Sequence, residues 1–451
     1  MPRIKYATIL RVLVILGLFC VWLQIMVSSG LERDGEELMN GNDTSEQVLA
    51  LVPQELHKYL TVHPRNNTAN STDLPKNITE IRRAIKRYND AQTIYNEDIY
   101  GPVLNDTVII AIQVHTRLTY LRHLIVSLAQ ARDIERTLLV FSHDYYDEEI
   151  NSLVRTIDFT KVMQIFYPYS IQTHPNEFPG VDPNDCPRDA KFEQAIKLKC
   201  NNALYPDLHG HYREAKYTQT KHHWWWKANR IFNQLQCTAS HTGMVVFLEE
   251  DHYVAEDFLH VLNLMRTTAD KTCPQCELLS LGTYLKTYQY HATADKVEIT
   301  PWHSSIHNMG MVFNRTVWNS IMSLQDQFCE YDDYNWDYSL LHLSQNRKGR
   351  EKFKVMMCKG PRVFHIGECG LHHKKSNCNA NLVISKVQKL LQTTKHLLYP
   401  KRLTASINPG GAKHNKKLVK GNGGWGDRRD QEMCTNMTKV DRQLKKYVYF
   451  A

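Results

Sequence analysis

The stretch that decides the fold is residues 108–114, Val-Ile-Ile-Ala-Ile-Gln-Val, followed at once by His115-Thr116-Arg117. The first seven residues are β-branched and apolar almost throughout, which is typical of a strand buried on both faces of a sheet. Apolar residues then recur at helical spacing over residues 120–128. Together they predict a strand, a polar loop and a helix, which is the repeating unit of an α/β fold.

The same unit recurs along the chain. Strands are predicted over residues 137–142, 162–166 and 244–248, and helices over 79–95, 148–157, 217–235 and 258–265. This alternation predicts a doubly wound, mostly parallel sheet with helices on both faces. Because ligands bind at the carboxyl ends of the strands in such sheets, we expect functional residues directly after strands.

Two segments depart from the alternation. Residues 169–212 are rich in proline, glycine and polar residues and contain Cys186 and Cys200. The segment is too long for a passive connection, so we interpret it as a functional loop closed by a disulfide. Residues 406–427 are rich in glycine, asparagine and lysine, which predicts a surface loop.

The composition excludes several classes of protein. The 451 residues are 42% hydrophobic and 23% charged, which is neither a disordered nor a collagen-like mixture. The net charge of +8 is a mild excess for a chain of this length. It argues against a dedicated nucleic-acid-binding protein.

The amino terminus indicates the compartment. Residues 12–27 are apolar except for Gln24, with basic residues before them and acidic residues after. Positive charge before the apolar stretch favours a cytosolic tail over residues 1–11, a transmembrane signal anchor over 12–28, a glycosylated stem over 29–77 and a lumenal catalytic domain over 78–451. A signal peptide cleaved near residues 27–29 is the alternative.

Glycosylation sequons and cysteines agree with a lumenal body. Asn-x-Ser/Thr sequons occur at Asn42, Asn66, Asn70, Asn77, Asn105, Asn314 and Asn436. Apart from Cys20 in the predicted span, ten cysteines remain, and in an oxidising lumen we expect most of them to be paired. The Cys273-Pro-Gln-Cys276 motif favours a tight structural disulfide over a redox pair or half of a zinc site.

Three acidic residues follow the strand predicted over 244–248. Glu249, Glu250 and Asp251 in a crevice repel one another unless a cation lies between them, and carboxylate oxygens suit Mg²⁺ or Mn²⁺. The alternative is that Glu249 and Glu250 cap the next helix. His365 also ends a short predicted strand, and an imidazole beside a carboxylate favours manganese, although a lone histidine is more often structural.

Two further polar segments are candidates for chemistry. Residues 330–337, Glu-Tyr-Asp-Asp-Tyr-Asn-Trp-Asp, precede a helical pattern, and Asp337 lies closest to its start as a candidate general base or as a partner of the helix dipole. Residues 219–223, Gln-Thr-Lys-His-His, are candidate nucleotide contacts, followed by three tryptophans as a packing wedge. His222 and His223 do not form a metal motif, because adjacent helical residues point about 100° apart.

Taken together, these segments resemble the N-acetylglucosaminyltransferase II family. The matching strings run in order over most of the predicted lumenal body: QVHTRLTYLRHL, LLVFSHD, PNEFPG, DCPRD, GHYREAK, QTKHHWWWK, FLEEDHY, LSLGTY, ADKV, HNMG, FCEYDDYNWD, RVFHIGECGLHHKK and GGWGDRRD. The resemblance implies a GT-A type fold, UDP-GlcNAc as donor and Mn²⁺ as cofactor. The implied reaction adds GlcNAc in β-1,2 linkage to the α-1,6-linked mannose of N-glycan cores that already carry GlcNAc on the α-1,3 arm, in a Golgi membrane protein with a lumenal catalytic domain.

The resemblance also implies roles for individual residues. It makes Asp251 and His365 the metal ligands and Asp337 the catalytic base. The implied substrate contacts are Gln113, Val114, His115, Thr116, Arg117, Asp144, Gln219, Thr220, Lys221, His222, His223 and Tyr288. The implied disulfides are Cys186–Cys200, Cys273–Cys276, Cys329–Cys434 and Cys369–Cys378.

The sequence departs from the family pattern at several positions. Tyr288 stands where the family has an arginine, so a diphosphate contact there is lost or passes to Lys286. A further family disulfide has no counterpart, since Leu324 occupies one of its positions. Cys237 and Cys358 are left over, and one hypothesis is that they pair. The alternative functions are a related Golgi GlcNAc-transferase with a different acceptor, a glycosidase using Asp251 and Asp337, and a non-catalytic glycan-binding protein.

Overall fold

The computed structural model describes residues 48–61, 77–284, 288–347, 349, 351–367, 380–408 and 420–448. The chain divides into two compact units, Met1–Leu51 and Val52–Ala451. Of the first unit, the described residues 48–51 make one helical turn. The fold and the candidate site below are those of the second unit.

The second unit is a mixed α/β domain. Its strands are β1 (Ile94–Tyr95), β2 (Ile109–Val114), β3 (Leu138–His143), β4 (Lys161–Phe166), β5 (Val245–Glu249), β6 (His252–Val254), β7 (Cys276–Ser280), β8 (Lys296–Pro301), β9 (Met311–Phe313), β10 (Lys354–Cys358), β11 (Val363–His365) and β12 (Thr404–Ile407). Its helices are α1 (Ile78–Ala91), α2 (Glu97–Tyr100), α3 (Leu118–Ala129), α4 (Glu148–Arg155), α5 (Phe192–Leu198), α6 (Ala215–Asn229), α7 (Phe258–Thr272), α8 (Tyr290–Thr293), α9 (Ser304–His307), α10 (Arg315–Met322), α11 (Gln325–Glu330), α12 (Trp336–Gln345), α13 (Ala380–Thr393) and α14 (Arg428–Val448). A π-helical turn, Arg230–Gln234, continues α6.

The strands form one large sheet and one small one. The large sheet has ten strands in the order β1-β4-β3-β2-β5-β9-β7-β10-β8-β12, while β6 and β11 pair separately. The run β4-β3-β2-β5 is parallel throughout, as the alternating pattern predicted. Beyond it, β9 lies antiparallel between β5 and β7, and β10 pairs antiparallel with β8. The α/β class and the parallel core are therefore confirmed, with a mixed second half that the sequence did not indicate.

Helices cover both faces of this sheet. Along β2, Ile110, Ile112 and Val114 pack into one buried cluster with α3 and α7. Ile109 and Ala111 point to the opposite face and pack with α6 and α12. The period of two in a strand divides its side chains between two cores in this way, and it explains why β2 is apolar almost throughout.

Several predicted elements end differently from expectation, among them the helix predicted over 258–265, which extends to Thr272. The lead-in helix predicted over residues 79–95 ends at Ala91, because Gln92 adopts a left-handed conformation with φ of 47°. Ile94 and Tyr95 then pair with β4 at the edge of the sheet. The predicted surface loop over 406–427 is wrong at both ends, since β12 reaches Ile407 and Trp425 is fully buried, its indole N–H donating to a backbone carbonyl. Glycine at positions 421 and 424 permits close approach to residues 331–334, and glycine at 423 and 426 permits close approach to residues 206–209.

The region upstream of α1 also contributes to the body. A 3-10 helix, Gln54–Tyr59, lies within the predicted stem, yet Tyr59 is fully buried and its hydroxyl donates to Asp158. Among the described residues, no helix is long and apolar enough to cross a membrane. The predicted span over residues 12–28 lies outside the described residues.

Three of the implied disulfides are formed, namely Cys186–Cys200, Cys273–Cys276 and Cys329–Cys434. The implied pair of Cys369 and Cys378 lies outside the described residues. Cys237 and Cys358 are free thiols, so the hypothesis that they pair is wrong. The disulfide predicted to close the loop over residues 169–212 is confirmed.

Candidate functional site

A two-stranded ladder brings the two predicted metal ligands together. Asp251 directly precedes β6, and His365 ends β11, which pairs antiparallel with β6. As a result, Asp251 Oδ2 lies 3.3 Å from His365 Nε2. The guanidinium of Arg117 contacts the same carboxylate oxygen. Residues far apart in sequence thus meet at the carboxyl edge of the sheet, as expected for this fold class.

The environment of Asp251 fits a metal ligand. Its Oδ1 is buried and has no hydrogen-bond partner, which is costly for a carboxylate unless a cation satisfies it. Burial favours the neutral acid, but His365 and neighbouring cations outweigh it and hold the pKa of Asp251 below its usual range. A Cβ at Gly367 would lie 2.2 Å from Asp251 Oδ2, so only glycine leaves this oxygen room. The carboxylate is therefore ionised and has a free coordination position.

His252 is the other histidine beside these carboxylates. Ligand atoms of Glu249, Asp251 and His252 lie within 4.8 Å of one another. However, Nδ1 of His252 accepts the backbone N–H of Glu249 at 3.1 Å, so the neutral ring carries its proton on Nε2 and offers no lone pair to a metal. Asp251 and His365, with Glu249 nearby, are therefore the better donors for a divalent metal.

Asp337 lies in the first turn of α12 and interacts electrostatically with Glu249; the region between Asp337 and the Asp251–His365 pair is referred to as the cleft. Its Oδ1 accepts the backbone N–H of Tyr338 at 2.9 Å, and its Oδ2 accepts the side-chain amide of Asn308 at 3.0 Å. Burial, followed by the charges of neighbouring carboxylates that include Glu249, raises the pKa of Asp337 to about 7. Tyr284 interacts electrostatically with Glu249, Asp251 and Asp337, so all three carboxylates lie in its neighbourhood. A carboxylate with this pKa is suited to accept a proton near neutral pH.

Glu250 shapes the turn that follows β2. Its Oε2 accepts the backbone N–H groups of His115 at 2.8 Å and Arg117 at 3.3 Å, and its own N–H donates to the carbonyl of Gln113. Burial raises the pKa of Glu250 to about 7. The capping alternative is therefore wrong: among the described residues no side chain caps the helix that follows Glu250 in sequence, and Glu250 accepts N–H groups of the turn that precedes α3.

Asp144, which follows β3, lies close to several of the residues implied to contact the nucleotide. Its Oδ1 lies 2.6 Å from Nδ1 of His115, and its Oδ2 accepts the amide of Gln219 at 3.0 Å and lies 3.4 Å from Nδ1 of His223. Burial raises the pKa of Asp144, but the hydrogen bond with His115 and the proximity of His223 outweigh it and hold the pKa below its usual range. The hydrogen bond to Asp144 raises the pKa of His115. This polar group lies beside the metal-ligand pair through the 115–117 turn.

The other implied contacts fall into two sets. Near the cleft, Gln113 accepts a hydrogen bond from Lys227, and the Val114 carbonyl accepts the N–H of Asp144. Thr116 is exposed and Thr220 is half-buried. The Tyr288 ring lies 5.5 Å from the ring of Phe364. Away from it, Lys221 binds backbone carbonyls of residues 331 and 333, and His222 Nε2 lies 2.9 Å from Asp430 Oδ1. Lys286 lies outside the described residues. The substrate roles of all these residues stay predictions.

Sequence reasoning missed three residues of the site. Glu250 was considered only as a helix cap or one of three carboxylates, while Asn308 and Lys227 were given no role. Lys227 is fully buried beside Gln113 and interacts electrostatically with Glu249 and Asp144. Burial lowers the pKa of Lys227 to about 7. Its spacing of eight residues from Gln219 on α6 was the available signal, since it places both on one helix face.

The sequons within the described residues lie at the surface or at helix caps. Asn105 and Asn436 are exposed. The side chains of Asn77 and Asn314 accept the N–H groups that begin α1 and α10. Asn42, Asn66 and Asn70 lie outside the described residues. Glycosylation at these positions stays a prediction.

Comparison with known proteins bears on the identity of this site. A family model described as N-acetylglucosaminyltransferase II (MGAT2) matches residues 82–434. Three relatives are called alpha-1,6-mannosyl-glycoprotein 2-beta-N-acetylglucosaminyltransferase. The one from Sus scrofa is 39% identical over 92% of this chain and 86% of its own. The one from Rattus norvegicus is 43% identical over 80% of each chain, and the one from Arabidopsis thaliana is 32% identical over 77% of this chain and 78% of its own. The solved structure of S. aureus TarS 1-349, with 9% identity over 57% of this chain and 59% of that chain, has a TM-score of only 0.28.

Proposed function

The chain belongs to the N-acetylglucosaminyltransferase II family, and from this premise we propose that it transfers GlcNAc from UDP-GlcNAc to N-glycan cores in the synthesis of complex N-glycans. The acceptor is the α-1,6-linked mannose of a core that already carries GlcNAc on its α-1,3 arm, and the new linkage is β-1,2. The observation that carries the proposal is the convergence of Asp337 with the Asp251–His365 pair on one cleft. It supplies a proton acceptor and a metal site on the same face.

The donor side of the cleft suits a nucleotide diphosphate. Asp251 and His365 would hold a divalent cation, which we propose is Mn²⁺ because an imidazole donor favours manganese over magnesium. When bound, such a cation neutralises the charge of the UDP leaving group. Arg117 lies against Asp251 and can offer its guanidinium to the diphosphate, since arginine matches phosphate oxygens geometrically. The polar group around Asp144 offers hydrogen bonds for the nucleoside.

The acceptor side requires one proton acceptor. An α-linked donor gives a β product when the acceptor hydroxyl attacks the anomeric carbon opposite the leaving group. The bond from that carbon to UDP breaks, the bond to the acceptor oxygen forms, and the hydroxyl proton passes to Asp337. Asn308 and the Tyr338 N–H orient the carboxylate for this transfer. One carboxylate suffices, so no covalent glycosyl intermediate is needed.

The tryptophans argue against a glycan-binding protein without catalysis. That alternative uses Trp336 and the triplet at residues 224–226 as platforms for sugar rings. All four are buried, and Trp224 stacks on Trp336 with ring centroids 4.5 Å apart. They stabilise the core between α6 and α12 and offer no exposed face. A related GlcNAc-transferase with a different acceptor remains the alternative to test.

The cellular location is also a proposal. We propose that residues 12–28 anchor the chain in the Golgi membrane as a single-pass type II protein, with the catalytic body in the lumen. The basic residues before the apolar stretch support this orientation. The three disulfides support an oxidising compartment.

A transfer assay tests the proposed activity. The full chain is incubated with UDP-GlcNAc, Mn²⁺ and an N-glycan that carries one GlcNAc on its α-1,3 arm, and the product is analysed by mass spectrometry and linkage analysis. We expect one added GlcNAc, and a loss of about 100-fold or more in rate for Asp337→Asn. Asp326→Asn is the matched control, because Asp326 is an exposed carboxylate on α11. No added sugar, or equal rates for wild type and Asp337→Asn, rejects the proposal.

An acceptor panel separates the alternative. The same glycan without the GlcNAc on its α-1,3 arm, and glycans lacking the α-1,6-linked mannose, serve as acceptors under the same conditions. We expect transfer only to the complete acceptor. Equal transfer to a glycan lacking the α-1,6-linked mannose identifies a GlcNAc-transferase with a different acceptor.

A further inference from the structure

Lys221 is a fully buried lysine without a direct carboxylate partner. It lies on α6, its exposed fraction is 0%, and no ion pair among the described residues includes it. Its Nζ donates to the backbone carbonyls of Tyr331 and Asp333, both at 3.0 Å. Its ammonium also lies 4.2 Å from the centre of the Trp425 ring. A buried ammonium is expensive to desolvate, so this arrangement needs specific compensation.

The two carbonyls belong to the segment that leads into α12. Asp333, within this segment, accepts the N–H and the side-chain amide of Asn335, the residue that precedes α12, at 2.9 and 3.0 Å. The other oxygen of Asp333 accepts the N–H and the amide of Asn422, both at 2.9 Å. Lys221 and Asp333 therefore fix the backbone that ends two residues before Asp337.

Lys221 faces away from the nucleotide contacts on its own helix. Gln219 and His223 are four residues apart, share one face of α6 and both lie against Asp144. Lys221 stands midway between them, about 200° around the helix axis from Gln219. Its contacts are accordingly with the segment before α12, on the opposite side of α6 from Asp144.

We propose that Lys221 is a positioning residue for Asp337 and not a contact to the nucleotide. Its ammonium holds the carbonyls of residues 331 and 333, and through them it fixes the start of α12 and the carboxylate that accepts the acceptor proton. This proposal rests on the proposed transferase function. It assigns to Lys221 a role in turnover that is separate from donor binding.

The test compares donor affinity with turnover in the full chain. Lys221→Met keeps the length of the side chain and removes the donors, and Lys216→Met is the control on an exposed lysine of the same helix. UDP affinity with Mn²⁺ is measured by calorimetry, and kcat and the KM for UDP-GlcNAc by sugar transfer. We expect UDP affinity and KM to stay within about twofold of wild type while kcat falls about 100-fold. Lys216→Met should match wild type.

A second variant approaches the same segment from the other side. Asp333→Asn leaves one acceptor oxygen for two sets of amide donors, so it loosens the segment while the Lys221 side chain stays in place. We expect the same separation, a lower kcat with UDP affinity retained. If Lys221→Met does not fold, this variant still tests whether the segment that Lys221 holds positions Asp337, and an unchanged kcat in Asp333→Asn overturns the positioning role.

Each result of these measurements has a defined meaning. A wild-type chain that binds UDP but transfers no sugar rejects the proposed function. The positioning role is overturned if the wild type is active and Lys221→Met retains kcat but binds UDP about tenfold or more weakly. Lys221 is then a nucleotide contact. Equal losses of UDP affinity and kcat in both variants, together with a lower thermal midpoint, also overturn it, because they reveal a purely structural lysine.

Discussion

Replacement of Asn308 with leucine should move the pH dependence of transfer. Asn308 donates a hydrogen bond to Asp337 Oδ2 at 3.0 Å, and this bond favours the charged carboxylate. Without it, the pKa of Asp337 rises further above its ordinary value. Since the base must be deprotonated to accept a proton, activity is lost as the pH falls through this pKa, and the acid limb of the profile moves to higher pH.

The size of the effect follows from the hydrogen bond. A hydrogen bond to a charged group contributes about 1.5 kcal/mol at the lower end of its range, which is about a tenfold change in the acid dissociation constant. With the pKa of wild-type Asp337 at about 7, about half of the carboxylate is charged at pH 7. The variant has about one tenth in the charged form, so kcat/KM at pH 7 should fall about fivefold.

The assay measures kcat/KM for the acceptor from pH 5.5 to 9.5 at saturating UDP-GlcNAc and Mn²⁺. A bound cation lowers the pKa of Asp337 in both proteins, so the difference between their profiles is the decisive quantity. We expect the variant to regain wild-type activity at the alkaline end. Asn319→Leu, at an exposed position on α10, should follow the wild-type curve. An equal loss of activity at every pH, with the same apparent pKa, would refute the reasoning.

Three other substitutions test the metal site, the turn at residues 115–117 and the stability of the fold. Asp251→Asn should weaken Mn²⁺ binding, measured by electron paramagnetic resonance with UDP present, about 100-fold or more, because it removes a charged ligand; unchanged affinity excludes Asp251 as a ligand. Glu250→Ala should weaken UDP binding about tenfold in calorimetry, because the N–H groups of the 115–117 turn lose their acceptor, and wild-type affinity would rule this role out. Replacing Cys329 and Cys434 together with alanine opens a loop with a sequence separation of 105 and should lower the free energy of unfolding in urea by about 5 kcal/mol. A decrease below about 1 kcal/mol contradicts the entropic argument.

The pattern of strands and the placement of polar residues after them were predictable from the sequence. Apolar runs of five to seven residues predict β2 and β5. The carboxylates at the end of β5 repel one another unless a cation lies between them, which indicated the metal site. The convergence of Asp251 and His365 was expected because Asp251 follows a strand, His365 ends one, and the family resemblance makes both of them metal ligands. The geometry that joins them, the pairing of β6 with β11, involves short strands with no periodicity of their own.

The directions of individual side chains were less predictable. Residues 219–223 form one polar string, but a helix sends alternate members to opposite sides, so His223 reaches Asp144 and Lys221 reaches the segment before α12. Glu250 finds its partners on another strand and helix, which no local pattern reveals. The tryptophan triplet was correctly interpreted as a packing wedge, since aromatic neighbours from α10, α11 and α12 surround it.

Because the candidate metal site depends on the pairing of β6 with β11, it forms only in a chain that contains both strands. Asp251 leaves the ribosome well before His365, so a chain released before Val363 holds only half of the donor pair. Ions that bind only the finished fold stabilise it by mass action and leave truncated chains without that gain. Retention on a manganese-loaded column containing UDP would therefore separate full-length protein from fragments ending inside the body, independently of any measurement of sugar transfer.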